Sequence, residues 1–422
     1  MSGRRIEIVT IGDELLLGFT IDTNAAHLSR ALGEIGYEVV RRTTVGDRAG
    51  EIGSAVKDAL ARTGAVITTG GLGPTSDDLS KASVAGLFGM KMVLDEGVLK
   101  QIEERWARLF PGRHFPPTNR QQAEIPEGAT VLTNRHGSAP GIWIEDSSGR
   151  WVAMLPGVPR EMRGMLADEV LPRLEKSSGA TVILSKTLRT SGIGESAIAE
   201  ILGPAPLGTD EAEVPIALAF LPSANGVDLR LTVRGVSLPK AETLLNAAAM
   251  KLRKPVAPYV YGEDDADLAS VVLQICRAKG VTLAVAESCT GGMLGQRLTA
   301  IPGSSDVFRG GVIAYDNSVK VALLGVSEEV LNAHGAVSVE CAAAMAIGAR
   351  SRLGTKIGVS ITGIAGPDGG TPDKPVGTVC IAIDGEGISA AKALRLIGDR
   401  EEIRQRSAQS ALDMVRRTLQ PV

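Results

Sequence analysis

Aromatic side chains are scarce in this chain of 422 residues: three Trp, four Tyr and six Phe make up 3% of it. Small residues and tight turns must therefore carry much of the architecture, and Gly alone occurs 50 times. Charge of one sign is not in excess. A net charge of −3 argues against a broad nucleic-acid footprint, although it leaves room for a local basic patch. No uncharged run approaches the roughly eighteen apolar residues of a membrane span. The opening MSGRRIEIVTIGDELLLG pairs two arginines with an apolar stretch, but Glu7, Asp13 and Glu14 interrupt it as a secretory signal. Cysteine is limited to Cys276, Cys289, Cys341 and Cys380, without metal-ligand spacing. Reduced thiols in a cytoplasmic protein are the expectation.

The length exceeds one ordinary core, so two or three domains are expected. IEIVTIG, YEVVRRTTVG and AVITTGG read as strands, separated by the helical patterns TNAAHLSRALGEIG and GEIGSAVKDALARTG. Such alternation predicts a mostly parallel sheet covered on both faces over residues 1–172. Between 173 and 256 the order becomes strand, short helix, hairpin and helix, that of a small α+β module. KPVAPYVYGEDDADLA, around residues 254–266, has linker composition, and α/β alternation resumes over 257–422. The predicted fold is two three-layer α/β domains joined by this module.

TTGGLGPTSDDLS places Gly70, Gly71 and Gly73 behind a strand, followed by Asp77 and Asp78. Glycines admit a phosphate close to the backbone, and carboxylates beside it make sense when they hold a cation. An Asp cap after a glycine turn is the plainer alternative. With GDELLLGFTIDTN, NRHGSAPG and LPGVPRE, this stretch resembles the molybdopterin-binding domain of cofactor-biosynthesis proteins. More closely, it resembles the N-terminal domain of the competence/damage-inducible protein A (CinA) family. That resemblance implies a divalent-metal-dependent pyrophosphatase converting ADP-ribose to AMP and ribose 5-phosphate. Asp47 and Asp78 fall where related domains carry functional acids, with Asp77, Asp13 and Glu14 as further metal candidates. A Nudix-type glutamate box is absent. The middle module resembles the family's KH-like domain, but its turn SGIGES offers a glutamate where a nucleic-acid clamp needs basic neighbours. Nucleic acid is therefore not an expected partner, and a structural or dimer-contact role is.

TLAVAESCTGG ends a buried strand on Ser288, Cys289 and Thr290 before two glycines. A lone activated hydroxyl suggests amide hydrolysis and needs a base. Of four histidines only His334 lies in this part of the chain, where a helix C-terminus accounts for it. Lysine can serve when burial lowers its pKa, and Lys320 follows the strand ending at Tyr315. AESCTGG, FRGGVIAYDNSVK, HGAVS, SITGIAGPDGG, KPVGTV and GDR resemble the CinA C-terminal domain, the nicotinamide mononucleotide (NMN) deamidase family. The resemblance implies Ser288 as nucleophile, Lys320 as base, Tyr315 assisting, Thr362 lining the site and Arg400 contacting substrate, with no metal. The amides of Cys289, Thr290, Gly291 and Gly292 are candidate oxyanion donors. The loop with Gly363 and Gly366 can approach a phosphate, and Thr290 can cap the following helix. Cys289 is the rival nucleophile. Homodimers are expected. The rival function is a regulatory or scaffold protein of competence or DNA damage whose N-terminal domain binds nucleotide without cleaving it.

Overall fold

The computed structural model describes residues 4–75, 78–175, 181–207 and 214–420. The chain divides into two compact units, Met1–Leu184 with Val233–Thr243, and Ser185–Thr232 with Leu244–Val422.

In the first unit the strands are β1 (Arg4–Ile11), β2 (Tyr37–Val45), β3 (Ala65–Thr69), β4 (Met92–Leu94), β5 (Glu124–Pro126), β6 (Thr130–Leu132), β7 (Gly141–Glu145) and β8 (Trp151–Leu155). The main sheet runs β2-β1-β3-β8-β7-β6, and β4 pairs with β5 separately. Contacts among β2, β1, β3 and β8 are parallel, as the alternation predicts, whereas β7 and β6 are antiparallel. The antiparallel pair was not anticipated, because β6 is only three residues long and the loop NRHGSAPG follows it. Both faces of the sheet are covered. Ile6 and Ile8 pack with Leu28 and Leu32 of the helix Thr23–Glu34, while Val9 and Ile11 pack with Ile52 and Val56 of the helix Ala49–Thr63. Alternate side chains of a strand point to opposite faces, so β1 is hydrophobic on both.

The α+β module comprises β9 (Val182–Thr190), the helix Glu195–Leu202, the hairpin β10 (Ala217–Ser223) and β11 (Gly226–Val236), the helix Leu238–Val256 and β12 (Val260–Glu263). Its sheet order is β10-β11-β9-β12. The stretch with linker composition is thus structured: the helix runs through Val256, and β12 pairs antiparallel with β9. The SGIGES turn leads into the helix Glu195–Leu202.

Five further strands, β13 (Leu283–Glu287), β14 (Phe308–Ile313), β15 (Ile357–Gly363), β16 (Thr378–Gly385) and β17 (Ile388–Arg395), form a sheet of order β14-β13-β15-β16-β17. β13 is an inner strand, parallel to both neighbours, while β16 and β17 are antiparallel. Leu283 and Val285 face a core shared with the helices Leu268–Lys279 and Arg400–Leu419. Ala284 and Ala286 face the helices Asn317–Leu324 and Val339–Leu353. The three-layer α/β architecture is present, and the carboxyl end of β13 delivers Ser288 at the point where helices on both sides begin.

Candidate active sites

Ser288 leaves β13 with its backbone N–H donating to the Ile361 carbonyl (2.9 Å), and its own carbonyl accepts from Gly291 (3.0 Å). Gly291 (φ +58°) and Gly292 (φ +98°) turn the chain into the helix Met293–Thr299. What holds this turn is Glu287, 1% exposed, whose carboxylate accepts from the amides of Gly292 (3.0 Å), Leu294 (3.0 Å) and Gly295 (2.8 Å). The predicted Thr290 cap is therefore corrected. Glu287 satisfies the helix start, and the Thr290 hydroxyl is buried without a partner. Helix starts carry orphan N–H groups and favour negative charge, so a carboxylate supersedes a hydroxyl there.

A cavity of about 280 Å³ opens beside the turn. Ser288, Tyr315, Lys320, Thr362, Gly363, Gly366 and Arg400 all line it, together with Cys289, Asn317 and Asp368. Thr290, Gly291 and Gly292 do not; they shape the turn rather than face the cavity. Gly291 and Gly292 donate internally, which removes them as oxyanion donors. The amide of Cys289, directly after the serine and lining the cavity, is the better placed one, the geometry of a nucleophile turn.

Lys320 is 1% exposed and its ammonium donates to the Tyr315 carbonyl (3.2 Å). Burial lowers its pKa from the ordinary lysine value, with Cys341, Asp316 and Cys289 opposing the shift. Burial pushes the Cys289 thiol up to about 12, so it stays protonated and a poor nucleophile at neutral pH. Arg400 begins the helix Arg400–Leu419, which Asp399 and Glu402 fix through a reciprocal capping box. Its guanidinium donates to the Gly366 carbonyl and to the Tyr315 hydroxyl (3.2 Å). Tyr315 is 63% exposed, a rim residue held by Arg400. Thr362 donates its hydroxyl to the Ala336 carbonyl (2.7 Å). His334 ends the helix Glu328–His334 and does not line the cavity.

In the first unit a cavity of about 450 Å³ lies where β1, β3 and β8 end. Gly70, Gly71 and Gly73 line it with Glu14, Asp47, Asp78, Gln122 and Glu161. Gly70 (φ +109°) is obligatory: a Cβ there would stand 2.1 Å from the Ile11 carbonyl oxygen. Asp78 accepts from the amides of Gly73 (2.7 Å) and Thr75 (2.8 Å) and from the Thr75 hydroxyl. It thus clasps its own loop and does not cap the helix Ser80–Leu87, whose N-cap is Leu79. Asp13 does not line the cavity; its amide donates to the Asp47 carboxylate (2.9 Å). Asp77 lies outside the described residues. Among the described residues no three His, Cys, Asp or Glu side chains approach closely enough to cage a metal ion. Mg²⁺ commonly takes only one or two carboxylates plus substrate phosphates, and Asp47 with Glu14 fits that donor set. Glu161, Gln122 and Ser138 were missed as site residues. Ser138 and Glu161 lie in NRHGSAPG and LPGVPRE, which were recognised as loops whose spacing singles out neither side chain, and Gln122 lies in the segment Pro117–Ala123, outside every loop quoted.

Fold and cavities together define a multidomain α/β protein with a glycine-loop cavity in one half and a serine–lysine cavity in the other. Residues 7–176 match the probable molybdopterin binding domain, 185–262 the damage-inducible protein CinA KH domain, and 265–419 the CinA C-terminal domain. A CinA-like protein of Gemmatimonas aurantiaca is 60% identical over 415 residues, covering 98% of this chain and 96% of its own length. A putative competence-damage inducible protein of Moorella thermoacetica is 43% identical over 98% of each chain. The solved competence/damage inducible protein from Agrobacterium tumefaciens is 39% identical, covering 36% of this chain and 94% of its own, with a TM-score of 0.36. This chain belongs to the CinA family.

Proposed function

We propose that the C-terminal half hydrolyses the amide of NMN to nicotinate mononucleotide and ammonia. The observation that carries this reading is that Ser288, a buried lysine with lowered pKa and an arginine line one cavity. Neutral Lys320 takes the Ser288 proton as the oxygen attacks the amide carbon. The resulting oxyanion faces the Cys289 amide. Collapse breaks the C–N bond as Lys320 returns the proton to the leaving ammonia, and water then releases the acid by the reverse proton path. Arg400 binds the substrate phosphate. No cofactor enters this scheme.

We infer further that the N-terminal half cleaves ADP-ribose to AMP and ribose 5-phosphate. Its glycine loop approaches the phosphates, and a divalent metal, held by Asp47 and Glu14, would neutralise their charge. The protein would act in the cytoplasm, as a homodimer, in pyridine-nucleotide recycling. Among the described residues no helix is long and apolar enough to cross a membrane.

Ammonia release from NMN and AMP release from ADP-ribose, each with and without added divalent metal, test both halves. Absence of ammonia from well-folded protein sinks the deamidase reading. ADP-ribose cleavage that is equally fast without metal rejects the N-terminal one. If neither reaction occurs, the regulatory reading replaces both.

A further inference from the structure

Three cavities adjoin in the first unit. The glycine-loop cavity shares Pro74, Gln122, Ser138 and Glu161 with a second, of about 320 Å³, walled by Trp106 and Phe110. That one shares Ile102, Arg105, Gly137 and Ser138 with a third, of about 440 Å³. The third cavity brings together Arg105 and Arg108, three residues apart on the helix Glu96–Leu109, and Arg135 from the loop after β6. Residues three apart on a helix share a face, so both helix guanidiniums address the same space. Thr133, Asn134 and Ser138 add neutral polar groups beside them. Glu104 is the one carboxylate in that lining, and its ion pair is with Lys100, 4.0 Å away and one helical turn back on the same face.

Guanidiniums gathered without a carboxylate partner repel one another, and an anion relieves that cost. A solvated arginine face would account for the charges alone. It would not account for the middle cavity, whose wall includes Trp106, a residue with a buried indole Nε1–H that finds no acceptor. Buried donors are rarely left unpaired, and this one belongs to a side chain that walls the space between the glycine loop and the arginines.

We propose that Arg105, Arg108 and Arg135 form an anion subsite for a second phosphoryl group. The preferred ligand of the N-terminal half is then a nucleotide carrying a phosphomonoester on its nucleoside in addition to the 5′-phosphates. The 5′-phosphates lie at the glycine loop, the base lies against Trp106, and the extra phosphate reaches the arginines. This rests on the reading of the glycine loop as a phosphate cradle.

The test is calorimetric titration of the full chain with AMP and with adenosine 2′,5′-bisphosphate, for the parent and for Arg108→Ala/Arg135→Ala. The bisphosphate should bind the parent at least tenfold more tightly than AMP. The double variant should lose that advantage while keeping the parent's affinity for AMP. Equal affinities in the parent, or an advantage that survives in the variant, overturn the subsite. If neither nucleotide binds the parent, the phosphate-cradle reading is what fails. Titration with inorganic pyrophosphate then decides the basin: binding lost in the double variant supports it, and no binding to the parent overturns it.

Discussion

With its ammonium group buried behind Tyr315, Lys320 gives up basicity that an exposed lysine would keep. Its native pKa is lowered, so the unfolded chain holds that proton to higher pH. Between the lowered native value and the ordinary one near 10.5, stability therefore rises with pH; below the native value the burial cost is fully present. Deamidation should fall as pH drops through the native value, because the base is then protonated. Lys320→Met should be inactive yet at least as resistant to heat as the parent, measured by thermal unfolding at pH 7, since replacing a buried charge by an apolar chain is often neutral or stabilising. A marked loss of melting temperature would show that the ammonium serves the fold. Ser288→Ala, Lys320→Ala and the double variant should each lose several orders of magnitude in kcat, with little further loss in the double, as for groups acting as one unit. Cys289→Ala should retain substantial ammonia release, its thiol being held protonated. A dead Cys289→Ala beside an active Ser288→Ala would move the nucleophile by one residue.

The nucleophile turn depends on the carboxylate that precedes it. Glu287→Ala strips three amides of their acceptor, and an unsatisfied buried donor costs about 1–3 kcal/mol. Glu287→Gln keeps one acceptor oxygen and should fall between Ala and parent in urea midpoint. A midpoint unchanged in Glu287→Ala would mean that water replaces the carboxylate without cost. In the other half, Asp78→Ala should abolish AMP release from ADP-ribose while leaving NMN deamidation intact, because it frees the amides of Gly73 and Thr75 and unlocks the loop. Undiminished AMP release from that variant would reject the loop as part of the site. Ser288 was legible from its own stretch, a hydroxyl closing a buried strand before two glycines, whereas Lys320 and Arg400 were legible through FRGGVIAYDNSVK and GDR, motifs that resemble the CinA C-terminal domain. Glu287 was not legible. It occupies the last position of an apolar strand, and only the fold reveals that the next helix turns its first amides back onto it. β6 and β7 escaped for a different reason, since three to five residues amid glycine and proline carry too little periodicity.

Across the second unit, the α+β module and the C-terminal sheet share the helix Arg400–Leu419. Arg416, 4% exposed, pairs with Asp413 and donates to the Pro258 carbonyl (2.9 Å), while Arg417 donates to the Ser191 carbonyl (3.1 Å) and lies over the Tyr259 ring. A fragment of residues 264–422 keeps the whole deamidase cavity but removes those acceptors. It should deamidate NMN with kcat close to the parent's yet unfold at lower urea than a fragment of residues 185–422. Equal midpoints would mean that the shared helix contributes no cooperativity between the two parts. The four cysteines, all in this unit and all buried, have a practical consequence as well. In the native protein Cys276, Cys341 and Cys380 are hidden from a maleimide, Cys289 on the cavity wall is held protonated by burial, and each becomes reactive when its own stretch of structure opens. The natural chain is therefore its own unfolding clock. Labelling followed by peptide mapping times the opening of the strands and helices from Cys276 to Cys380, while the cysteine-free first unit stays silent.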